Sequence, residues 1–156
     1  GKNIRLGISL TELYRELATY PVKGAYVFLD ACFSGGYKSA APLLAQKGVR
    51  VVPKVGLPQG KTLSFSSSSG DQTSSVYHDK KQGYYTYFLI KTIKDARGDL
   101  SMKDLFERTS AAVKKATAMI GKMQEPQCMV SPTWFGWESL RLETPVEPAP
   151  VAPQGE

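Results

Sequence analysis

Apolar positions along this chain follow helical spacing in some segments and form strand-like runs in others. Leu10–Ala18 has apolar residues three and four positions apart, and Ser9 and Glu12 have the spacing of a helix capping box. The next apolar segment, Ala25–Leu29, is unbroken, which is typical of a strand buried on both faces of a parallel sheet. The pattern therefore predicts a helix followed by a buried strand.

Further helices and strands alternate along the rest of the chain. Short strands are predicted at Val49–Pro53 and Leu63–Ser67, and an edge strand at Gln127–Ser131. Tyr84–Lys94 is apolar almost all round and is predicted to be a helix packed on the sheet. An amphipathic helix is predicted over Ser101–Gly121. This alternation indicates an α/β fold.

The composition changes near the carboxyl end. Positions 144–156 are rich in proline and cannot bury enough apolar surface to fold, so we interpret them as an extended tail or linker. Positions 1–143 are then predicted to form one domain. Before the tail, Trp134 and Trp137 are interpreted as aromatic residues that close the core, with a partner-binding patch as the alternative.

The overall composition narrows the class of protein. The chain has 156 residues, of which 42% are hydrophobic, and a net charge of +6. This hydrophobic content excludes a disordered chain, and no apolar stretch approaches membrane-spanning length. Because the basic residues are scattered and the aromatic residues do not alternate with them, a nucleic-acid interface is only weakly supported. We expect a solvated basic surface and neither a membrane nor a nucleic-acid partner.

The candidate for chemistry is Cys32, which follows the strand Ala25–Leu29. Ligands of open α/β sheets gather beyond the carboxyl ends of the strands, so Cys32 and the preceding Asp30 project where a substrate can reach them. We interpret Cys32 as a nucleophile, the alternative being a buried structural thiol. The second cysteine, Cys128, is expected to be a reduced and buried thiol. No Cys/His spacing suits zinc.

Three segments carry a family resemblance. They are Leu29–Gly35 (Leu-Asp-Ala-Cys-Phe-Ser-Gly), Phe65–Ser74 (Phe-Ser-Ser-Ser-Ser-Gly-Asp-Gln-Thr-Ser) and Glu125–Gln127 (Glu-Pro-Gln). In this order they resemble the caspase-like cysteine peptidases of the metacaspase and bacterial orthocaspase type, from about Ile8 to about Ser131. The resemblance implies a three-layer α/β/α fold of the caspase-hemoglobinase kind with a mostly parallel sheet. It also implies a Cys/His dyad that hydrolyses peptide bonds.

The histidine of that dyad does not appear where the family has it. The family's base precedes the cysteine, and positions 1–31 contain no histidine. The single histidine, His78, is interpreted as an exposed loop residue. We therefore expect a fragment that lacks the N-terminal portion of the domain, with the histidine on a companion N-terminal fragment. The fragment is either a product of self-cleavage or a truncated chain, and Lys80-Lys81 is a second candidate for self-cleavage.

The resemblance also assigns roles to polar residues near Cys32. Asp30 is expected to line a pocket for Arg or Lys on the acyl side of the cleaved bond, with a turn-closing role as the alternative. Asp71 either lines the same pocket or holds its own loop. Ser66 and Ser67 are expected to present backbone groups to an extended peptide.

Calcium activates some metacaspases through aspartates near the cysteine. Here Arg5–Ser9 and Tyr37–Ala45 contain no acidic residue, so we expect no calcium requirement and no other metal or cofactor.

Three functions from different classes follow from these observations. The favoured one is a thiol protease, a cysteine endopeptidase fragment that cleaves after Arg or Lys and matures by autoprocessing of a zymogen. The second is a non-catalytic caspase-like module that binds a partner. The third is a basic nucleic-acid-binding domain, which a steep salt dependence of binding would support.

Overall fold

The computed structural model describes residues 9–31, 56–69, 72 and 74–142. Its helices and strands are α1 (Leu10–Ala18), β1 (Ala25–Leu29), β2 (Thr62–Ser66), β3 (Val76–Tyr77), β4 (Gln82–Gly83), α2 (Tyr84–Asp95), α3 (Met102–Ala118) and β5 (Gln127–Val130), with short 3-10 helices at His78–Lys80 and Trp137–Ser139. The predicted strand at Val49–Pro53 lies outside the described residues.

Local signals in the sequence set the helix boundaries. The capping box before α1 is present, with the Ser9 hydroxyl accepting a hydrogen bond from the Glu12 amide at 3.1 Å. Ser101 caps α3 in the same way by accepting from the Asp104 amide at 3.1 Å. After α3 the chain turns at Gly121, whose φ of +67° suits glycine. The predicted bounds of all three helices are therefore confirmed within a few residues.

The described strands form a mixed sheet in the order β1-β2-β5. β1 and β2 are parallel, with Leu29 opposite Ser66, whereas β5 is antiparallel to β2, with Cys128 opposite Phe65. β3 and β4 form a separate antiparallel hairpin. Because β1 and β2 run in the same direction, their carboxyl ends lie at the same edge of the sheet.

Helices cover both faces of this sheet. Ser64 of β2 accepts a hydrogen bond from the buried Tyr14 hydroxyl of α1 at 2.9 Å. The next residue, Phe65, points to the opposite face, where its ring lies 5.1 Å from that of Phe106 in α3. The described part thus has three layers, α1, the sheet and the α2–α3 pair, which confirms the predicted α/β/α class.

The hydrophobic core lies on the α2–α3 side of the sheet. Its buried members are Leu63, Phe65, Tyr85, Leu100, Met102, Leu105 and Val113. Trp134 and Trp137 pack against this cluster, while Phe135 between them is 87% exposed. The two tryptophans therefore close the core, as predicted.

Burial of the strands differs from the prediction in one respect. β2 is buried at all five positions, but β1 is mostly half-buried and its Phe28 is 37% exposed. Among the described strands β1 is paired on one side only, with β2, whereas β2 is paired on both sides.

The Tyr14–Ser64 hydrogen bond should be measurable as a coupling between α1 and the sheet. We expect a double-mutant cycle of Tyr14→Phe and Ser64→Ala to give a coupling energy of about 1 kcal/mol in urea unfolding. The reason is that Tyr14→Phe leaves the buried Ser64 hydroxyl without its partner, and Ser64→Ala leaves the buried Tyr14 hydroxyl without its partner. Tyr20→Phe, at a 61% exposed tyrosine, is the control and should change little. A coupling energy near zero would contradict this role.

Candidate active site

The Asp30 carboxylate lies at the carboxyl end of β1 and reaches the first turn of α2. Its Oδ2 atom accepts two hydrogen bonds from Thr86, one from the hydroxyl at 2.5 Å and one from the amide at 3.3 Å. Asp30 as a whole is exposed. A strand end and a helix start that are far apart in sequence are thereby joined by one acidic side chain.

Gly83 makes this approach possible. It is the N-cap residue of α2, and a Cβ atom placed on it would lie 3.0 Å from Asp30 Cγ and closer still to Oδ2. Its φ of −68° is accessible to any residue, so the requirement for glycine here is one of space rather than of backbone conformation.

Ser67 continues the pairing of the two parallel strands beyond β2. Its amide donates to Leu29 O at 2.9 Å, and its hydroxyl donates to Ala31 O at 3.1 Å. The same hydroxyl also forms a short hydrogen bond with Ser74. Ser67 is fully buried and holds the segment that leads directly to Cys32.

The other predicted site residues occupy different places. Ser66 is buried at the end of β2, and strand alternation places its side chain on the α1 face, opposite the face of Asp30. Asp30 and Ser67 are therefore neighbours, whereas the side chain of Ser66 lies on the other face. The prediction for Ser66 concerned its backbone, which lies in β2 opposite Leu29 of β1 and Gln127 of β5. Cys32 and Asp71 lie outside the described residues.

Gln124 holds both ends of the loop that follows β2. It is 1% exposed, its Oε1 accepts from the Ser75 amide at 2.8 Å, and its Nε2 donates to Ser67 O at 3.0 Å. The next residue, Glu125, donates its amide to Gln72 Oε1 at 2.6 Å. These bonds tie the α3–β5 connection to the loop that carries Asp71.

Two titratable groups on the α2–α3 side of the sheet, Tyr85 and Cys128, have raised pKa values. Burial, followed by the negative charges of Asp30 and of an ionised Cys128, raises the pKa of Tyr85 well above its usual range. Burial, with a smaller effect of Glu138, raises the pKa of the free Cys128 thiol to about 11. Cys128 is half-buried and stays a neutral thiol at physiological pH.

His78 lies at the start of the 3-10 turn between β3 and β4, and it is exposed, as predicted. The same turn contains the exposed Lys80 and Lys81, and the Lys80 ammonium lies 5.7 Å from the centre of the Tyr87 ring. Lys81 has a φ of +54°, and its amide donates to His78 O at 3.1 Å. The hairpin is therefore tightly turned.

Three contributors to this site were not predicted from the sequence: Thr86, Gly83 and Gln124. Thr86 and Gly83 lie at the start of a helix that periodicity assigned to core packing alone. Gln124 directly precedes Glu125–Gln127, one of the three segments that carry the family resemblance, and this adjacency is the one signal in the sequence for a role of Gln124.

The described residues show neither a metal-binding cluster nor a membrane-spanning helix. No group of three His, Cys, Asp or Glu side chains there could hold a metal ion. None of the helices in the described ranges combines the length and the apolar character needed to cross a membrane.

Comparison with protein-family models places the chain in a known family. The family model described as the caspase domain matches residues 3–133. A search of curated proteins gives no match. The matched range contains all the predicted site residues and every contact described above for Asp30, Ser67 and Gln124.

Replacing Gln124 should destabilise the domain more than replacing a similar residue nearby. In Gln124→Leu the Ser75 amide and the Ser67 carbonyl lose their buried partners, and we expect a loss of about 2–4 kcal/mol in the free energy of unfolding. Gln127→Leu is the control, because the Gln127 amide bonds only the adjacent Glu125 and Pro126 carbonyls. Equal losses of unfolding free energy in the two variants, measured by urea unfolding, would contradict this role of Gln124.

Proposed function

The chain belongs to the caspase domain family of cysteine-type peptidases, and from that premise we propose that it is the Cys32-bearing part of an endopeptidase that cleaves after Arg or Lys. The single observation that carries the proposed specificity is the exposed Asp30 carboxylate, held at the carboxyl end of β1 two positions before Cys32. A carboxylate in that place attracts a basic side chain and repels an acidic one.

The proposed reaction uses Cys32 as the nucleophile. A histidine takes the proton of the Cys32 thiol, and the thiolate sulfur attacks the peptide carbonyl carbon, giving a tetrahedral oxyanion that backbone amides stabilise. The C–N bond then breaks, and the leaving amine takes the proton from the histidine. Water hydrolyses the resulting thioester and restores the thiol.

The strand pairing supports the placement of this nucleophile. Ser67 bonds the carbonyl oxygens of both Leu29 and Ala31, so the backbone is fixed up to the residue before Cys32. An attacking group must be held close to its target geometry, and a segment fixed by a buried neighbour meets that need. Both the Ser67 amide and its carbonyl oxygen have internal partners, so we assign it mainly to positioning.

For the protein as a whole, we infer that positions 1–143 form the catalytic domain and 144–156 a proline-rich tail, and that a companion segment supplies the partner histidine. The family match to residues 3–133 supports the domain assignment. We further infer that the metacaspase or orthocaspase type applies and that the protein is a zymogen that processes itself.

The Lys80-Lys81 bond is a poor site for self-cleavage in the folded hairpin. Peptidases bind their substrates as extended strands, whereas Lys81 has left-handed backbone geometry in a closed turn. Cleavage there requires the β3–β4 hairpin to open first. We therefore place self-cleavage after basic residues outside this turn.

Asp30 should control the choice of substrate. We expect Asp30→Asn to lower kcat/KM for peptides with Arg or Lys on the acyl side by about 100-fold, because the charge-assisted contact is lost. Fluorogenic peptides that differ only at that residue provide the measurement. Asp79→Asn, an exposed acid in the 3-10 turn, is the control and should behave like the parent.

Cys32→Ala should abolish hydrolysis in the same assay. Unchanged preference for Arg and Lys in Asp30→Asn would exclude Asp30 from the pocket. Activity retained in Cys32→Ala would exclude the proposed nucleophile, and a parent without peptidase activity when its histidine segment is present would favour a non-catalytic module.

The two cysteines should differ in their rate of alkylation. We expect Cys32 to react with iodoacetamide faster than Cys128 at pH 7, where a thiol of pKa about 11 is ionised in only about one molecule in ten thousand. The Cys128 rate should rise about tenfold for each pH unit up to about pH 10, since only the thiolate reacts. Peptide mapping after limited labelling decides this, and faster labelling of Cys128 at pH 7 would contradict it.

A further inference from the structure

We propose that Thr86 is a positioning residue that determines how the Asp30 carboxylate is presented to a basic side chain. This inference rests on the proposed function, in which Asp30 binds Arg or Lys. Both hydrogen bonds from Thr86 end on the same oxygen, Oδ2. Among the described residues none donates a hydrogen bond to Oδ1, so we take Oδ1 as the oxygen that a substrate would bind.

The consequence follows from the geometry of the two basic groups. A guanidinium binds a carboxylate most strongly side by side, with one N–H on each oxygen, and an ammonium needs only one oxygen. With both acceptor directions of Oδ2 occupied by Thr86, the side-by-side arrangement is blocked. The pocket should therefore accept Arg and Lys through Oδ1 with only a small preference between them.

Three observations show that this arrangement is held in place. The hydroxyl of Thr86 lies 2.5 Å from Oδ2, the length of a strong charge-assisted hydrogen bond. Both donors belong to the first turn of α2, whose N-terminal end favours a negative charge. Gly83 leaves just enough space for the carboxylate beside that turn.

A purely structural role of the Thr86–Asp30 contact leads to a different expected result. If Asp30 served only to cap α2, loss of the Thr86 hydroxyl would lower the stability of the protein but would not change the relative rates with Arg and Lys. The ratio of kcat/KM for the two substrates therefore separates the two roles.

The first test is Thr86→Val, which removes the hydroxyl and keeps the shape of the side chain. In the full-length active protein, kcat/KM for a Lys peptide should fall about tenfold, mainly through KM, because Asp30 loses its fixed orientation. The fall for the matched Arg peptide should be smaller, since loss of the hydroxyl frees one acceptor direction of Oδ2 and so permits side-by-side binding, while the amide bond of residue 86 remains. The Arg/Lys ratio should thus rise about three- to tenfold. A neutral Gln peptide should be unaffected.

Two further variants make the test independent of any folding defect. Gly83→Ala leaves Thr86 intact but places a methyl group where Oδ2 lies, so it should displace the carboxylate and raise the Arg/Lys ratio in the same direction. Thr86→Ser retains the donor and should keep the parent ratio. Thr92→Val, on α2 and away from Asp30, is the matched control for a threonine-to-valine change in this helix.

The outcomes distinguish this inference from the proposed function. An unchanged Arg/Lys ratio in a folded Thr86→Val or Gly83→Ala variant overturns the role of Thr86, and so does an altered ratio in Thr86→Ser. If the parent shows no preference for basic residues, or Asp30→Asn keeps that preference, the proposed specificity fails instead. Melting temperatures identify the variants that fold, and either folded variant is sufficient for the decision.

Discussion

The burial of β2 between two strands and two helical layers is the constraint on which the described structure depends. All five residues of Thr62–Ser66 are buried, so their backbone groups must find partners in β1 and β5 rather than in water. Because β1 is parallel to β2 in a fixed register, the segments after Leu29 and Ser66 leave the sheet side by side. The position of Asp30 next to Ser67 is thus a result of strand pairing.

Beyond the strand ends, buried polar groups need hydrogen-bond partners that the regular pairing of the sheet no longer supplies. The Ser67 amide and hydroxyl donate to the carbonyl oxygens of Leu29 and Ala31, in the segment before Cys32. The Ser67 carbonyl oxygen accepts a hydrogen bond from Gln124. A buried network of this kind is favourable only when every member has a partner, and it then specifies one arrangement. Ser67 consequently holds both the loop after β2 and the segment before Cys32, so a displacement of one should displace the other.

The sequence predicted features that depend on local order and missed those that depend on distant contacts. Capping residues and apolar spacing determine α1 and α3 within the helices themselves, and both were predicted closely. The bonds from Thr86 to Asp30 and from Gln124 to Ser67 join residues 56 and 57 positions apart, which no periodicity records. The opposite orientations of Ser66 and Ser67, by contrast, follow from the two-residue repeat of a strand and were predictable.

Asp30 combines a structural contact with a proposed binding role, and the two are compatible because they use different oxygens. A free aspartate side chain loses conformational freedom when it binds a ligand, whereas one already held by Thr86 has lost that freedom on folding. Under this proposal Oδ2 takes no part in binding, so the affinity for a guanidinium would be lower than that of a carboxylate with both oxygens free. If the pocket accepts both Arg and Lys, as proposed, one well-placed acceptor is sufficient, and Thr86 at the start of α2 holds the Asp30 carboxylate that would provide it.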